Sequence, residues 1–139
     1  MAGSPRIIPR WATNELLAQL ETHRVVSVVG CRQSGKTTIL LKTPLPHVKF
    51  QSLDVQANFS AAVADPSYFV RRRSPDILVI DEIQKVPQLI GEIKFQVDRN
   101  PEKGQYIISG SSDYRKLPQA NESLAGRAGL VRVRTFSEA

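Results

Sequence analysis

Val25-Val26-Ser27-Val28-Val29-Gly30-Cys31-Arg32-Gln33-Ser34-Gly35-Lys36-Thr37-Thr38 passes from a short β-branched run into a glycine-bearing loop, and then into residues of helical character. The segment from Gly30 to Thr37 satisfies the pattern G-x-x-x-x-G-K-[ST] at every fixed position. Residue frequencies alone produce that pattern about once in ~200 chains of this length, so its surroundings matter. Here an apolar strand precedes it and a helix is expected over Lys36 to Lys42, stopped before Pro44. Glycines at the turn allow backbone angles and a close approach that a Cβ forbids. Successive N–H groups then point inward at a helix N-terminus, an arrangement that cradles phosphate. Such a loop assigns Gly30, Cys31, Arg32, Gln33, Ser34, Gly35, Lys36, Thr37 and Thr38 to ligand binding. Lys36 is expected to reach the terminal phosphate oxygens, and the Thr37 hydroxyl to hold Mg²⁺.

Working outward, strand-like and helix-like stretches alternate. Ala12 to Leu20 places Ala12, Leu16, Leu17 and Leu20 on one side of a helix. Val48 to Leu53 alternates as a half-exposed strand does. Asn58 to Arg73 has helical character, broken at Asp65-Pro66, where the aspartate favours a new helix start. Ile77 to Ile80 is continuously apolar, as expected of a strand covered on both faces. Gln88 to Val97 carries Leu89, Ile90, Ile93 and Val97 at helical spacing. Tyr106 to Ile108 and Leu130 to Arg134 complete five strands. This alternation predicts an α/β fold, a mostly parallel sheet with helices on both faces. Residues 1–24 read as an N-terminal segment and helix packed on the core, and residues 25–139 as the core itself. Trp11 is expected to pack its helix inward.

The strand at Ile77 ends in two acids. Asp81 is placed to hold Mg²⁺ through water, and Glu82 to polarise an attacking water. The same pair could instead cap the helix that begins after Pro87, or be solvated. Gln105 to Ser112 ends in small polar residues. A strand lying between the phosphate loop and the acids would aim Ser109 or Ser111 at the terminal phosphate. Ser111 is the choice because it follows the strand end; a helix N-cap is the alternative.

Composition bounds the rest. The chain has 139 residues, long enough for one domain with a hydrophobic core. Lys and Arg number 19 against 13 acids, a formal charge of +6, which permits polyanionic partners without choosing one. The lone Cys31 excludes an internal disulfide, no signal-like or membrane-length apolar run is present, and the cytoplasm is the default expectation. Arg71-Arg72-Arg73 is the densest charge run. It reads either as a solvated helix end or as a contact for nucleic-acid phosphates. His23 and His47 lack ligand-spaced neighbours and suggest no metal.

Gly30–Thr38 (GCRQSGKTT), Ile77–Pro87 (ILVIDEIQKVP), Ile107–Ser112 (IISGSS) and Ser123–Arg127 (SLAGR) together resemble the AAA-type ATPases of bacteria and archaea that usually carry an uncharacterised C-terminal domain. The resemblance runs from about Arg10 onward. It implies a three-layer P-loop fold of strand order 5-1-4-3-2, with ATP and Mg²⁺ as ligands. It also implies Lys36, Thr37, Asp81 and Glu82 in the roles argued above. Arg127 is then the candidate transition-state arginine, acting within its chain or on a neighbour, with a plain surface arginine as the alternative. Two features depart from the pattern. Cys31 stands where a small residue or proline is commoner, and family members continue well beyond the point of Ala139. The expected function is MgATP hydrolysis that drives or switches interaction with a partner or C-terminal module, with oligomerisation open. The alternatives are a nucleotide-dependent interaction module with little hydrolysis, and a DNA-associated ATPase.

Overall fold

A computed structural model describes residues 10–30, 45–110 and 128–132. Its elements in chain order are α1 (Arg10–Thr22), β1 (Val25–Val29), β2 (Val48–Ser52), α2 (Gln56–Ala64), a one-turn α3 (Pro66–Phe69), β3 (Ile77–Asp81), a 3-10 turn (Ile83–Lys85), α4 (Gln88–Asp98), β4 (Tyr106–Gly110) and β5 (Ala128–Arg132). The strands form a single sheet of order β2-β3-β4-β1-β5, the predicted order read from the other edge. Every pairing is parallel.

Strand periodicity divides the core into two layers. Val25 and Val29, Leu78 and Ile80, and Tyr106 and Ile108 point to one face, where they meet Leu53, Ala62, Leu89, Ile90, Ile93 and Val97. Val26 and Val28, Ile77 and Val79, and Ile107 and Val131 point to the other, under Leu16 and Leu20 of α1. Apolar side chains on both faces explain the unbroken VVSVV and ILVI runs: neither strand has a wet side. The sheet is therefore a middle layer between α1 and the group α2–α4.

Local chemistry sets the breaks. Asp65 ends α2 and caps α3 by accepting from the Tyr68 N–H at 3.1 Å, and Pro66 occupies the first turn of α3, where its missing N–H costs nothing. Gly104 has φ +67, and a Cβ there would lie 3.2 Å from the Leu20 carbonyl oxygen, so the turn before β4 requires glycine.

Three expectations need correction. Arg71–Arg73 lies beyond α3 in a loop rather than at a helix end, because the Asp65-Pro66 break leaves only one further turn. Trp11 is 52% exposed; Leu16 and Leu20 do the packing that was assigned to it. The last strand starts at Ala128 rather than Leu130. The expected helix over Lys36 to Lys42 lies outside the described residues. Among those residues no helix is long and apolar enough to cross a membrane.

Candidate functional site

Register places a row of polar groups at the carboxyl ends of three adjacent strands. Ser52 of β2 pairs with Asp81 of β3. Ile80 pairs with Ile108, which brings Asp81 level with Ser109 of β4. By strand alternation all three share the face that carries Val79 and Ile107. Ser109 Oγ donates to Asp81 Oδ1 at 2.6 Å, and Ser52 Oγ approaches Oδ2 at 3.5 Å. Asp81 is 4% exposed and Ser109 fully buried. A carboxylate loses most of its hydration at that depth and needs donors or a cation in compensation.

Glu82 follows in the left-handed region, φ 61 and ψ 47, uncommon for a residue bearing a side chain. Holding it there costs about 1–3 kcal/mol, and such departures gather at functional sites. The left-handed residue turns the chain from β3 into the 3-10 turn. Gln84 Nε2 donates to Glu82 Oε1 at 2.7 Å. Lys85 forms an ion pair with Asp54, tying this turn to the one after β2. The acids do not cap the following helix: Pro87 stands at the N-cap of α4, with no side-chain cap bond.

The start of the glycine loop lies at the same end of the sheet. Gly30 immediately follows β1, and β4 alone separates β1 from β3. With strands about 4.8 Å apart, β1 runs about 10 Å from β3, and Gly30 stands two residues beyond the level of Asp81. Open parallel sheets bind ligands in this crevice beyond the carboxyl ends of their strands. Cys31–Thr38, Ser111 and Arg127 lie outside the described residues. Ser109, the alternative to Ser111 in the sequence reading, touches the acid. Ser52 carried no signal, because only pairing brings it to Asp81. Among the described residues no group of three or more His, Cys, Asp or Glu forms a metal cluster.

The AAA domain family matches residues 22–139 of this chain. The chain belongs to that family. This AAA domain is 34% identical over 127 residues to uncharacterised proteins of Mycobacterium tuberculosis and Mycobacterium bovis, a match that covers 89% of the chain and 28% of each relative. It thus spans little more than a quarter of their length. Its fold is similar to that of a Walker-type ATPase of Pyrococcus abyssi (TM-score 0.62, 14% identity, 94% of this chain and 54% of that one). It is also similar to the DnaC helicase loader (TM-score 0.57, 14% identity, 92% and 93% covered) and to the Pif1 helicase of Candida albicans (TM-score 0.52, 16% identity, 91% and 40% covered). The AAA domain is therefore of the P-loop NTPase type, and its family implies nucleotide binding.

Proposed function

We propose that this AAA domain binds MgATP at the carboxyl end of its sheet and hydrolyses it, and that hydrolysis switches contact with a partner or a C-terminal module. The observation that carries this reading is the buried Ser109–Asp81 pair, with Glu82 next in sequence and the start of the glycine loop two strands away. The donor set fits a hard divalent cation: a buried carboxylate backed by hydroxyls, at the end of the sheet where Gly30 begins the glycine loop.

In this reading the loop from Gly30 to Thr38 wraps the phosphates with backbone N–H groups, and the Lys36 ammonium neutralises their charge. Thr37 and Asp81 would hold Mg²⁺, which would supply Lewis-acid charge to the triphosphate. Glu82 orients a water and accepts its proton as the oxygen attacks. Gln84, bonded to Glu82 Oε1, fixes the direction in which that carboxylate faces. Ser109 keeps Asp81 from rotating. Arg127 supplies a positive charge to the transition state, from its own chain or a neighbour's.

Lys36→Ala is expected to abolish nucleotide binding. Glu82→Gln is expected to retain binding while phosphate release falls by about 10²- to 10⁴-fold. Fluorescent-nucleotide titration and a phosphate-release assay separate these effects. Undiminished release in the Glu82 variant removes the base from the scheme, and unaltered binding in the Lys36 variant removes the site.

A further inference from the structure

A second concavity lies away from the crevice, on the sheet face covered by α2–α4 and next to β2, the edge strand among the described residues. It encloses about 680 Å³, within the range of ligand sites, and is lined by Lys49, Tyr68, Phe69, Arg71, Arg73 and Asp76, with Leu78 of β3 at its base. Leu78 is three residues, about 10 Å, upstream of Asp81, so this groove and the row of polar groups are separate places on the sheet.

The charges in the groove are unequal. Arg72, although it also lines the groove, is committed elsewhere: its guanidinium donates to Glu102 at 2.5 Å and to the Asp76 carbonyl at 2.9 Å, and its side chain is 6% exposed. Ser74 and Arg72 together hold the Glu102 carboxyl below its usual range. Lys49, Arg71 and Arg73 are exposed and form no ion pair among the described residues, which leaves them facing the single acid Asp76. The Arg71 guanidinium sits 5.5 Å from the centre of the Tyr68 ring, and Tyr68 is still 67% exposed. An exposed ring beside cations that form no ion pair among the described residues is the combination that binds bases by stacking and their backbone by charge.

We propose that this groove binds single-stranded nucleic acid, with Lys49, Arg71 and Arg73 on successive phosphates and a base stacked on Tyr68. A duplex keeps its bases inside the helix, out of reach of a ring in a groove, whereas a single strand presents them. An acidic peptide would satisfy the cations but leave the exposed ring unused. The inference stands independently of ATP hydrolysis.

The test is fluorescence anisotropy with a labelled oligothymidylate of about 16 nucleotides. Three phosphate contacts predict a log–log salt slope near −2, a loss of about twentyfold between about 50 and about 200 mM salt. Arg71→Ala with Arg73→Ala is expected to bring the slope to about −0.7. Tyr68→Ala is expected to weaken binding about tenfold with the slope unchanged. All three side chains are exposed, so the fold tolerates their loss, and matched thermal unfolding verifies it. Lys36→Ala is expected to bind the oligonucleotide as the parent does, which excludes binding through the phosphate loop. An unchanged slope in the arginine variant, or unchanged affinity in the Tyr68 variant, overturns the proposal. Displacement of the oligonucleotide by oligoglutamate at equal charge concentration does so too, and reassigns the groove to an acidic protein segment.

Discussion

A 2.6 Å bond between a serine hydroxyl and a carboxylate, closed off from water at the end of the sheet, is the strongest local feature of the candidate site. Hydrogen bonds to charged groups contribute about 1.5–3 kcal/mol, and here the bond also sets how the carboxylate faces the crevice. Ser109→Ala leaves one Asp81 oxygen without that donor. If Asp81 holds Mg²⁺, the variant should lose about tenfold in ATP affinity with Mg²⁺ present and little with the ion chelated. Equal losses under both conditions would reduce Ser109 to a structural role. Glu82 and Gln84 belong to the same scale. A left-handed glutamate bonded to a glutamine two residues on is a local device, and QK after DE could be noticed in the sequence without any sign of which side chain met which. Gln84 meets Glu82, whereas Lys85 turns to Asp54.

Among the elements, β4 is the strand that joins the parts. It lies between β1 and β3, and its first residue, Tyr106, is buried with its hydroxyl donating to the Val70 carbonyl at 2.6 Å. The bond ties the sheet to the loop after α3, the same loop that continues into the arginine run. Burial pushes the phenol up to about 12, against a smaller opposing pull from Arg72. The folded protein thus keeps this proton while the unfolded chain ionises near pH 10. The stabilisation is complete below about pH 10 and is lost as pH rises towards 12. Tyr106→Phe should lower stability at neutral pH by about 1–3 kcal/mol, through the unpaired Val70 carbonyl, and should flatten the alkaline decline. Urea unfolding at about pH 7 and about pH 11 measures both. A decline as steep in the variant as in the parent would assign it to other groups. The strands themselves were readable because short β-branched runs ended by glycine or acid leave few alternatives. The limits of the short α3 were not, since helical character continues past Phe69 in composition while the backbone does not.

In the molecule as a whole, α1 packs against the far edge of the sheet, across β5 and β1. A Cβ on Gly129 of β5 would lie 2.2 Å from Gln19 Oε1 and 3.0 Å from His23 Nδ1, both carried by or adjoining α1. In an unobstructed strand, alanine for glycine is mildly stabilising. Because Oε1 is the free end of a flexible side chain that can swing aside, Gly129→Ala is expected to cost no more than about 1 kcal/mol, and Gln19→Ala in the same chain to recover it. Thermal unfolding of the two single variants and the double variant closes the cycle; strict additivity would mean that α1 does not dock on β5 through these side chains.

The amino-acid sequence by itself determined that an apolar strand leads into a phosphate-type loop, that two acids close another strand, and that the sheet is parallel with both faces covered. These are local matters, set by residue type and by the two- and 3.6-residue periods of the backbone. The resemblance to AAA-type ATPases supplied the strand order, which no local period encodes. Only the tertiary structure decided that Ser109 meets Asp81, that Ser52 joins them from a strand nearly thirty residues earlier, and that Tyr68 stands beside the arginines. Each of those contacts depends on pairing register and on where a loop comes to rest, and both are fixed by burial of side chains far apart in the chain.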